Sequence, residues 1–278
     1  MRTIAHISDL HFGTESAVLA EALRKQLLAR PPSLLVISGD LTQRARRRQY
    51  QAARAYLDTL PIPQIVVPGN HDIPLYDFVR RFLFPLRRYR RYISRDLAPV
   101  FEDEEIFVAG INTARSLTWK SGRISLGQIE ALKQRLKASK APLKIVVTHH
   151  PFIPPPAGSN EARIDLIGRA TMALQVLEEQ RVDLLLAGHL HHGYSGDTRT
   201  YYPTTRRSAL SIQAGTAISR RVRPSDRNGF NVITLDGDSA QVEVQSWTNQ
   251  EFTPIAPRSY RRSEDGWHAL GGETTIAD

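Results

Sequence analysis

The sequence predicts an α/β fold, with a largely parallel sheet covered by helices on both faces. Three observations lead there. Short runs rich in Val, Ile and Leu alternate with helix-length segments through the first two thirds of the chain, which is the signature of repeated β-α units. The runs are apolar throughout rather than alternating, as strands buried on both faces are. Near the end the grammar changes. Residues 230–235 and 240–246 flank the turn Asp236-Gly237-Asp238 and read as an antiparallel hairpin, so the sheet system is mixed.

The elements follow in order. Residues 4–8 are a strand, and 15–30 a helix stopped by Pro31-Pro32. Residues 34–38 are the second strand, and 45–60 a helix stopped by Pro61 and Pro63. Residues 65–67 are the third strand, ended by Pro68-Gly69. Residues 74–99 break the rhythm and read as a helical insert. A short hairpin follows at 99–103 and 105–112, then a helix at 125–138 with Ile129, Leu132 and Leu136 on one face. Residues 144–148 are a strand, 151–159 a Pro-rich loop, 165–180 a helix, and 184–187 and 211–214 strands. Residues 249–278 show little periodicity and are expected to be a C-terminal surface tail. No linker divides the chain, so residues 1–248 are expected to form one domain.

Composition narrows the chemistry. The 278 residues include no cysteine, which removes disulfides, thiolate nucleophiles and Cys-ligated metal sites. The opening MRTIAHISDLHFG enters a strand by Ile4, with no apolar leader before it, and no apolar run approaches bilayer length. The expectation is a cytoplasmic protein. A formal charge of +9, mostly from arginine, favours anionic partners.

Five apolar runs end in the same kind of place. TIAHIS meets Asp9-Leu10-His11, LLVIS meets Gly39-Asp40, and IVVP meets Gly69-Asn70-His71-Asp72. KIVVT meets His149-His150, and LLLA meets Gly188-His189-Leu190-His191. Loops at the carboxyl ends of parallel strands converge on one crevice. Asp9, His11, Asp40, Asn70, His71, His149, His189 and His191 are therefore expected in one neighbourhood. Carboxylate, imidazole and amide oxygen suit borderline divalent metals such as Mn, Fe, Zn, Co or Ni. Seven such ligands exceed one tetrahedral ion and suit two ions sharing a bridging carboxylate, the arrangement that clamps a phosphoryl centre.

The ordered series D-x-H, G-D, G-N-H-D, H and G-H-x-H resembles the calcineurin-like metallophosphoesterase superfamily. ISDLHFG and GNHD are most similar to the bacterial class III cyclic-nucleotide phosphodiesterase branch. The resemblance implies a four-layer αββα sandwich of two mixed sheets. It implies two divalent ions (Mn, Fe, Zn or Co). Asp9, His11 and His191 would hold one, Asn70, His149 and His189 the other, and Asp40 would bridge them. It also implies hydrolysis of a phosphodiester, with a cyclic nucleotide as the family-level substrate, by a metal-bridging hydroxide. Asn70 and His71 would contact the phosphate and stabilise its developing charge, with His71 protonating the leaving oxygen. Asp72 either orients His71 or braces the loop. His150 and His192, beside ligands, read as outer neighbours; His6 as packed in the first strand; His268 as without a role.

Residues 78–95, FVRRFLFPLRRYRRYISR, hold seven arginines and no acid. Helical spacing puts Leu75, Phe78, Val79, Phe82, Leu86, Tyr89 and Ile93 on one face, and Arg81, Arg87, Arg88, Arg91 and Arg95 away from it. Pro85 divides the segment into two short helices. The plain reading packs the apolar face on the domain. Others rest the segment on an anionic membrane surface, or make it a lid over a phosphorylated substrate with an apolar part. With Arg44, Arg46–48 and the cluster Arg220, Arg221, Arg223 and Arg227, it suggests an electropositive rim. The expected partner is thus a small anionic phosphodiester, with peripheral membrane contact through the insert as an addition. A hydrolase of lipid-linked phosphodiester or diphosphate substrates is an alternative, though those enzymes typically show G-N-R-D. A nuclease is a second alternative with no separate nucleic-acid-binding motif behind it. Relatives of this kind are often dimers, so a homodimer is compatible.

Overall fold

Period-two alternation sorts every central strand between two environments. In the computed structural model, which describes residues 1–154, 166–222 and 226–271, Ile4 faces a second sheet while Ala5 and Ile7 face helices. On the next strand Leu34 and Val36 face the second sheet, and Leu35 and Ile37 the helices.

The chain runs β1 (Arg2–Ile7), α1 (Ala17–Ala29), β2 (Leu34–Ile37), α2 (Arg47–Leu57) and β3 (Gln64–Val66). A 3₁₀ turn at Asn70–Asp72 precedes α3 (Phe78–Leu83) and α4 (Arg87–Tyr92). The second half continues with β4 (Val100–Glu102), β5 (Ile106–Gly110), α5 (Leu126–Ala138), β6 (Leu143–Val147), α6 (Ala170–Glu179) and β7 (Leu184–Ala187). Then come β8 (Tyr194–Asp197), α7 (Thr198–Tyr201), β9 (Leu210–Gln213), β10 (Gly229–Asp236), β11 (Ser239–Thr248), β12 (Glu251–Pro254), β13 (Arg258–Ser263) and β14 (Gly266–Leu270).

Two mixed sheets result. One has the order β14-β13-β11-β10-β1-β2-β3, with β12 also on β11; the other is β4-β5-β6-β7-β9-β8. β1, β2 and β3 are parallel in the first, and β5, β6, β7 and β9 in the second. Their inner faces meet through Ile4, Val36, Val67, Ile145, Leu186 and Ile212, all fully buried. α1 and α2 cover the first sheet with Leu19, Leu23, Leu27 and Leu57, and α5 and α6 cover the second with Leu132, Leu136, Leu174 and Leu177. This is the αββα sandwich. Each fully buried Leu or Ile contributes about 1.5–3 kcal/mol, so the parallel strands that lead to the site are firmly held in the core. Among the described residues no helix is long and apolar enough to cross a membrane.

Three expectations are corrected. The stretch 249–278, expected to be a surface tail, forms three strands of the first sheet as far as Leu270; residues 272–278 lie outside the described residues. Its anchors are Phe252, Tyr260 and Trp267, all buried, with Phe252 edge-on to Phe230 and Trp247 at 5.3 and 5.0 Å. In α3 the expected faces are exchanged: Phe78, Val79 and Phe82 are exposed and Arg81 is buried. Three carbonyls explain this. Arg81 donates to Ser116 (2.8 Å), Pro74 (3.0 Å) and Thr118 (2.8 Å), and stacks 4.4 Å from the Trp119 ring. In α4 the expected orientation holds, with Leu86 and Tyr89 inward. The sixth helix begins at Ala170 rather than 165; residues 155–165, which include most of the Pro-rich loop, lie outside the described residues, as does Arg223.

Candidate metal centre

The loops after β1 and β2 run side by side. Asp9 N–H donates to the Gly39 carbonyl (3.1 Å), His11 N–H to Asp40 (2.9 Å) and Phe12 N–H to Leu41 (2.8 Å). This pairing puts Asp9, His11 and Asp40 on adjacent turns of backbone. All three have positive φ, at 53°, 46° and 51°, as do His189 and His191 at 75° and 62°. Non-glycine residues enter this region at a cost, and such strain concentrates at functional sites.

The third loop is locked to the second. Asp72 is fully buried and accepts from the N–H groups of Leu41 (3.2 Å), Thr42 (2.9 Å) and Gly69 (3.0 Å) and from the Thr42 hydroxyl (2.9 Å). Tyr50 donates to its carbonyl at 2.6 Å. Asp72 therefore braces the loop and makes no contact that would orient His71. Gly69 is needed for close approach: a Cβ there would collide with the Asp40 carboxylate and backbone nitrogen.

The donor atoms of these loops lie close together. His11 Nε2 lies 3.5 Å from Asp9 Oδ1, and His191 Nε2 lies 3.7 Å from the same oxygen. Asn70 Oδ1 lies 3.0 Å from His149 Nε2 and 3.1 Å from His189 Nδ1. Asp40 stands between the two groups, with Oδ2 3.8 Å from His11 Nε2 and Oδ1 3.4 Å from His149 Nε2. Hydrogen bonds behind the rings aim them. His149 Nδ1–H donates to the Ser38 carbonyl at 2.8 Å, and His191 Nδ1 pairs with the Thr216 hydroxyl at 2.6 Å. Both leave Nε2 for the cluster, as partners behind a ligating imidazole do.

The donor set fits metal ions. Asp9 Oδ1 and both ring nitrogens of His11 are buried without a hydrogen-bond partner among the described residues, and atoms so placed are costly unless something else satisfies them. Electrostatics agrees. Burial works to raise the Asp9 and Asp40 carboxyls, yet neighbouring histidines hold both below the usual range. Burial alone would depress His149, but Asp40 beside it pushes it up to about 9. Burial, reinforced by His149, pushes His189 down to about 3. The two buried carboxylates, held ionised among the imidazoles, carry the negative charge that a divalent cation would balance.

His71 sits at the edge. Its ring is edge-on to His11 at 4.8 Å, and its backbone N–H donates to Asp40 Oδ1 at 2.8 Å. Its Nδ1–H donates to the Gln43 carbonyl at 2.9 Å, which leaves Nε2 free. Burial lowers its pKa while Asp40 opposes that. Arg44 Nη1 lies 3.3 Å from His71 Nδ1, so of the second-loop arginines this one reaches the site; Arg46, Arg47 and Arg48 are exposed. His150 is buried beside His189 (ring centroids 4.6 Å apart), but its nitrogens pair with Thr113 Oγ1 (2.8 Å) and the Lys120 carbonyl (2.7 Å). His192 pairs with Asp226, His6 with Ser38, and His268 with Ser263 and Asp265. Ser38, Gln43, Arg44 and Thr216 were not singled out for these contacts by sequence reasoning. Arg44 directly follows the Gly-Asp loop, but the other three carry no sequence signal, since their partners are distant in the chain.

Comparison with known proteins identifies the family and the fold. The pattern of the calcineurin-like phosphoesterases matches residues 2–193. A probable cyclic nucleotide phosphodiesterase of Synechococcus sp. is 28% identical over 206 residues, covering 69% of this chain and 74% of that protein. A glycerophosphodiester phosphodiesterase of Enterobacter lignolyticus is 37% identical over 81 residues, 25% of this chain and 29% of that protein. Among solved structures, a purple acid phosphatase from yellow lupin seeds superposes with a TM-score of 0.68 at 14% identity, covering all of this chain and 57% of that one. At that identity the likeness concerns the fold alone.

Proposed function

The chain belongs to the calcineurin-like phosphoesterase family, and on that premise we propose that it hydrolyses a phosphodiester with two divalent metal ions held in the buried cluster. The observation that carries this is the convergence of seven donor side chains from five strand-end loops, with Asp40 within 4 Å of histidines of both groups. Asp9, His11 and His191 would hold one ion, Asn70, His149 and His189 the other, and Asp40 would be shared.

When bound, such ions supply an activated water and neutralise charge on the phosphoryl oxygens. The chain's own groups do the rest. His71 presents Nε2 at the rim, its orientation set by the Gln43 carbonyl. As the imidazolium, with Nδ1–H on the Gln43 carbonyl and a second proton on Nε2, it would pass the Nε2 proton to a leaving oxygen within hydrogen-bond reach. Asn70 directly precedes His71 in the chain, and Arg44 Nη1 lies 3.3 Å from His71 Nδ1. They add donors where negative charge develops. The buried rings keep bulk water from the far side of the cluster.

The named relatives support a diester over a monoester, and the first of them supports a cyclic nucleotide as the substrate class. A glycerophosphodiester is the second reading, favoured by the higher identity over the shorter match. The test is hydrolysis of bis-p-nitrophenyl phosphate against p-nitrophenyl phosphate with Mn²⁺, with and without chelator, followed by both substrate classes. Chelator-sensitive diesterase activity that Asp40→Ala abolishes is the expected result. A fully active Asp40→Ala protein, or a folded wild-type protein without affinity for any divalent ion, overturns the assignment.

A further inference from the structure

The metal centre does not account for the insert. α3 and the chain just beyond it expose Phe78, Val79, Phe82, Leu83 and Phe84, and the facing loop exposes Leu117 (84%) and Trp119. The two segments form one surface: Phe78 is edge-on to Trp119 at 6.2 Å, and Arg81 ties the helix to the Ser116 and Thr118 carbonyls. That anchorage keeps the aromatic face outward. Contiguous apolar patches of this kind on a folded domain mark an interaction site.

Beside the patch lies concentrated positive charge. Arg87, Arg90, Arg91 and Arg95 line a recess of about 400 Å³ that has no carboxylate among its lining residues. Arg87 lies 5.6 Å over the Phe84 ring, so recess and patch are continuous. Asp77, the one acid within the patch, is already paired with Arg80.

We propose that this surface docks the protein on an anionic lipid bilayer. The aromatic and aliphatic side chains of α3 and the 117–119 loop enter the headgroup–acyl boundary. The arginines of α4 stay at the level of the lipid phosphates, which guanidinium groups contact in bidentate fashion. A second copy of the chain fits the surface poorly, because a two-fold contact would bring unneutralised arginines together. The docked face adjoins the metal centre: Tyr76, at the foot of the insert, lies 5.9 Å from the Arg44 guanidinium beside His71. The inference stands on this surface and is independent of the substrate.

The test is co-sedimentation of the full chain with vesicles of phosphatidylcholine alone and of phosphatidylcholine with about 30% phosphatidylglycerol. Binding is expected with the anionic vesicles only, and weaker in high salt. It should fall about fivefold for each of Arg87, Arg90, Arg91 and Arg95 replaced by Gln. The pair Phe78→Ser with Phe82→Ser should weaken it at least tenfold. Both residues are exposed, so that variant should keep its melting temperature and its turnover of a soluble diester. Failure of the folded wild-type protein to sediment with anionic vesicles overturns the proposal. So does equal binding to both vesicle types, or binding that the Phe78/Phe82 variant retains. Dissociation of a wild-type dimer by that variant, without vesicle binding, assigns the surface to a second copy instead.

Discussion

Gly69→Ala isolates the steric demand of the site. Gly69 has φ −102° and ψ −178°, a conformation any residue adopts, so the substitution introduces no backbone strain. The new methyl would overlap Asp40 Oδ1 and its backbone nitrogen, and lie 2.7 Å from Cγ, where ordinary van der Waals contact begins at 3.4 Å. The Asp40 nitrogen and Oδ1 lie closer still, so the loops after β2 and β3 must part by about 1 Å, since close-packed surroundings offer little room to yield. Overpacking of this kind costs about 1–3 kcal/mol of stability. The functional loss should be larger than that suggests. Asp40 is the carboxylate shared by both ligand groups, and a displacement near 1 Å at reacting groups costs about 100-fold in rate. Gly127→Ala is the matched control. It adds the same methyl on α5, with nothing within 4 Å, and should stabilise by about 0.5 kcal/mol. The assay is kcat/KM for bis-p-nitrophenyl phosphate at saturating Mn²⁺, with metal content and chemical denaturation on the same samples. Expected are a loss near 100-fold for Gly69→Ala and none for Gly127→Ala. A Gly69→Ala protein with wild-type turnover would refute the claim that the two loops are in fixed contact through Asp40.

Three further outcomes follow from single contacts. Thr216→Val keeps the side-chain shape but removes the hydroxyl paired with His191 Nδ1; metal affinity, read by titration with a competing chelator, should weaken about 10- to 100-fold. Tyr50→Phe deletes the donor to the Asp72 carbonyl and should cost about 1–2 kcal/mol in urea unfolding, with a smaller effect on turnover than Gly69→Ala. Trp267→Ala empties a fully buried position between the sheets and should cost about 3–5 kcal/mol. A shift under about 1 kcal/mol would return the last strands to the status of a dispensable tail.

The strand-end pattern was legible because it pairs two local signals. An apolar run announces β1, β2, β3, β6 and β7, and a polar donor just beyond each run lands on the same edge of its sheet. Packing of the two sheets face to face then does what no single residue can, which is to bring Asp9, beyond β1 of one sheet, beside His191, beyond β7 of the other. The C-terminal strands were illegible for the opposite reason. In β13 only Tyr260 is buried, with Arg258 and Arg262 half-buried on its face and Arg261 exposed, so the segment lacks an apolar run. Trp267 and Tyr260 were the available signals, since large aromatics rarely stand alone on a surface tail. The face exchange in α3 was illegible because periodicity assumes apolar residues turn inward. It carries no term for three backbone carbonyls, supplied by Pro74 and the 116–118 loop, that a guanidinium can satisfy. Tautomer-setting partners such as Ser38 and Thr216 are invisible to motif spacing, because one acts through its backbone and the other lies far along the chain.

The left-handed backbone at Asp9, His11, Asp40, His189 and His191 has a consequence for how such a chain can drift. At each of these positions the donor group is kept against the local preference of the main chain, which glycine would meet at lower cost by about 1 kcal/mol. Selection for catalysis and selection for a stable fold therefore pull in opposite directions at the same five codons. A lineage released from turning over its substrate would gain stability by replacing these residues one at a time, and the sandwich would outlast its chemistry. Ala45, Arg169, Arg181, Asn249 and Gln250 share the same backbone region, but there no donor group would oppose a replacement, so the two sets of positions should drift differently.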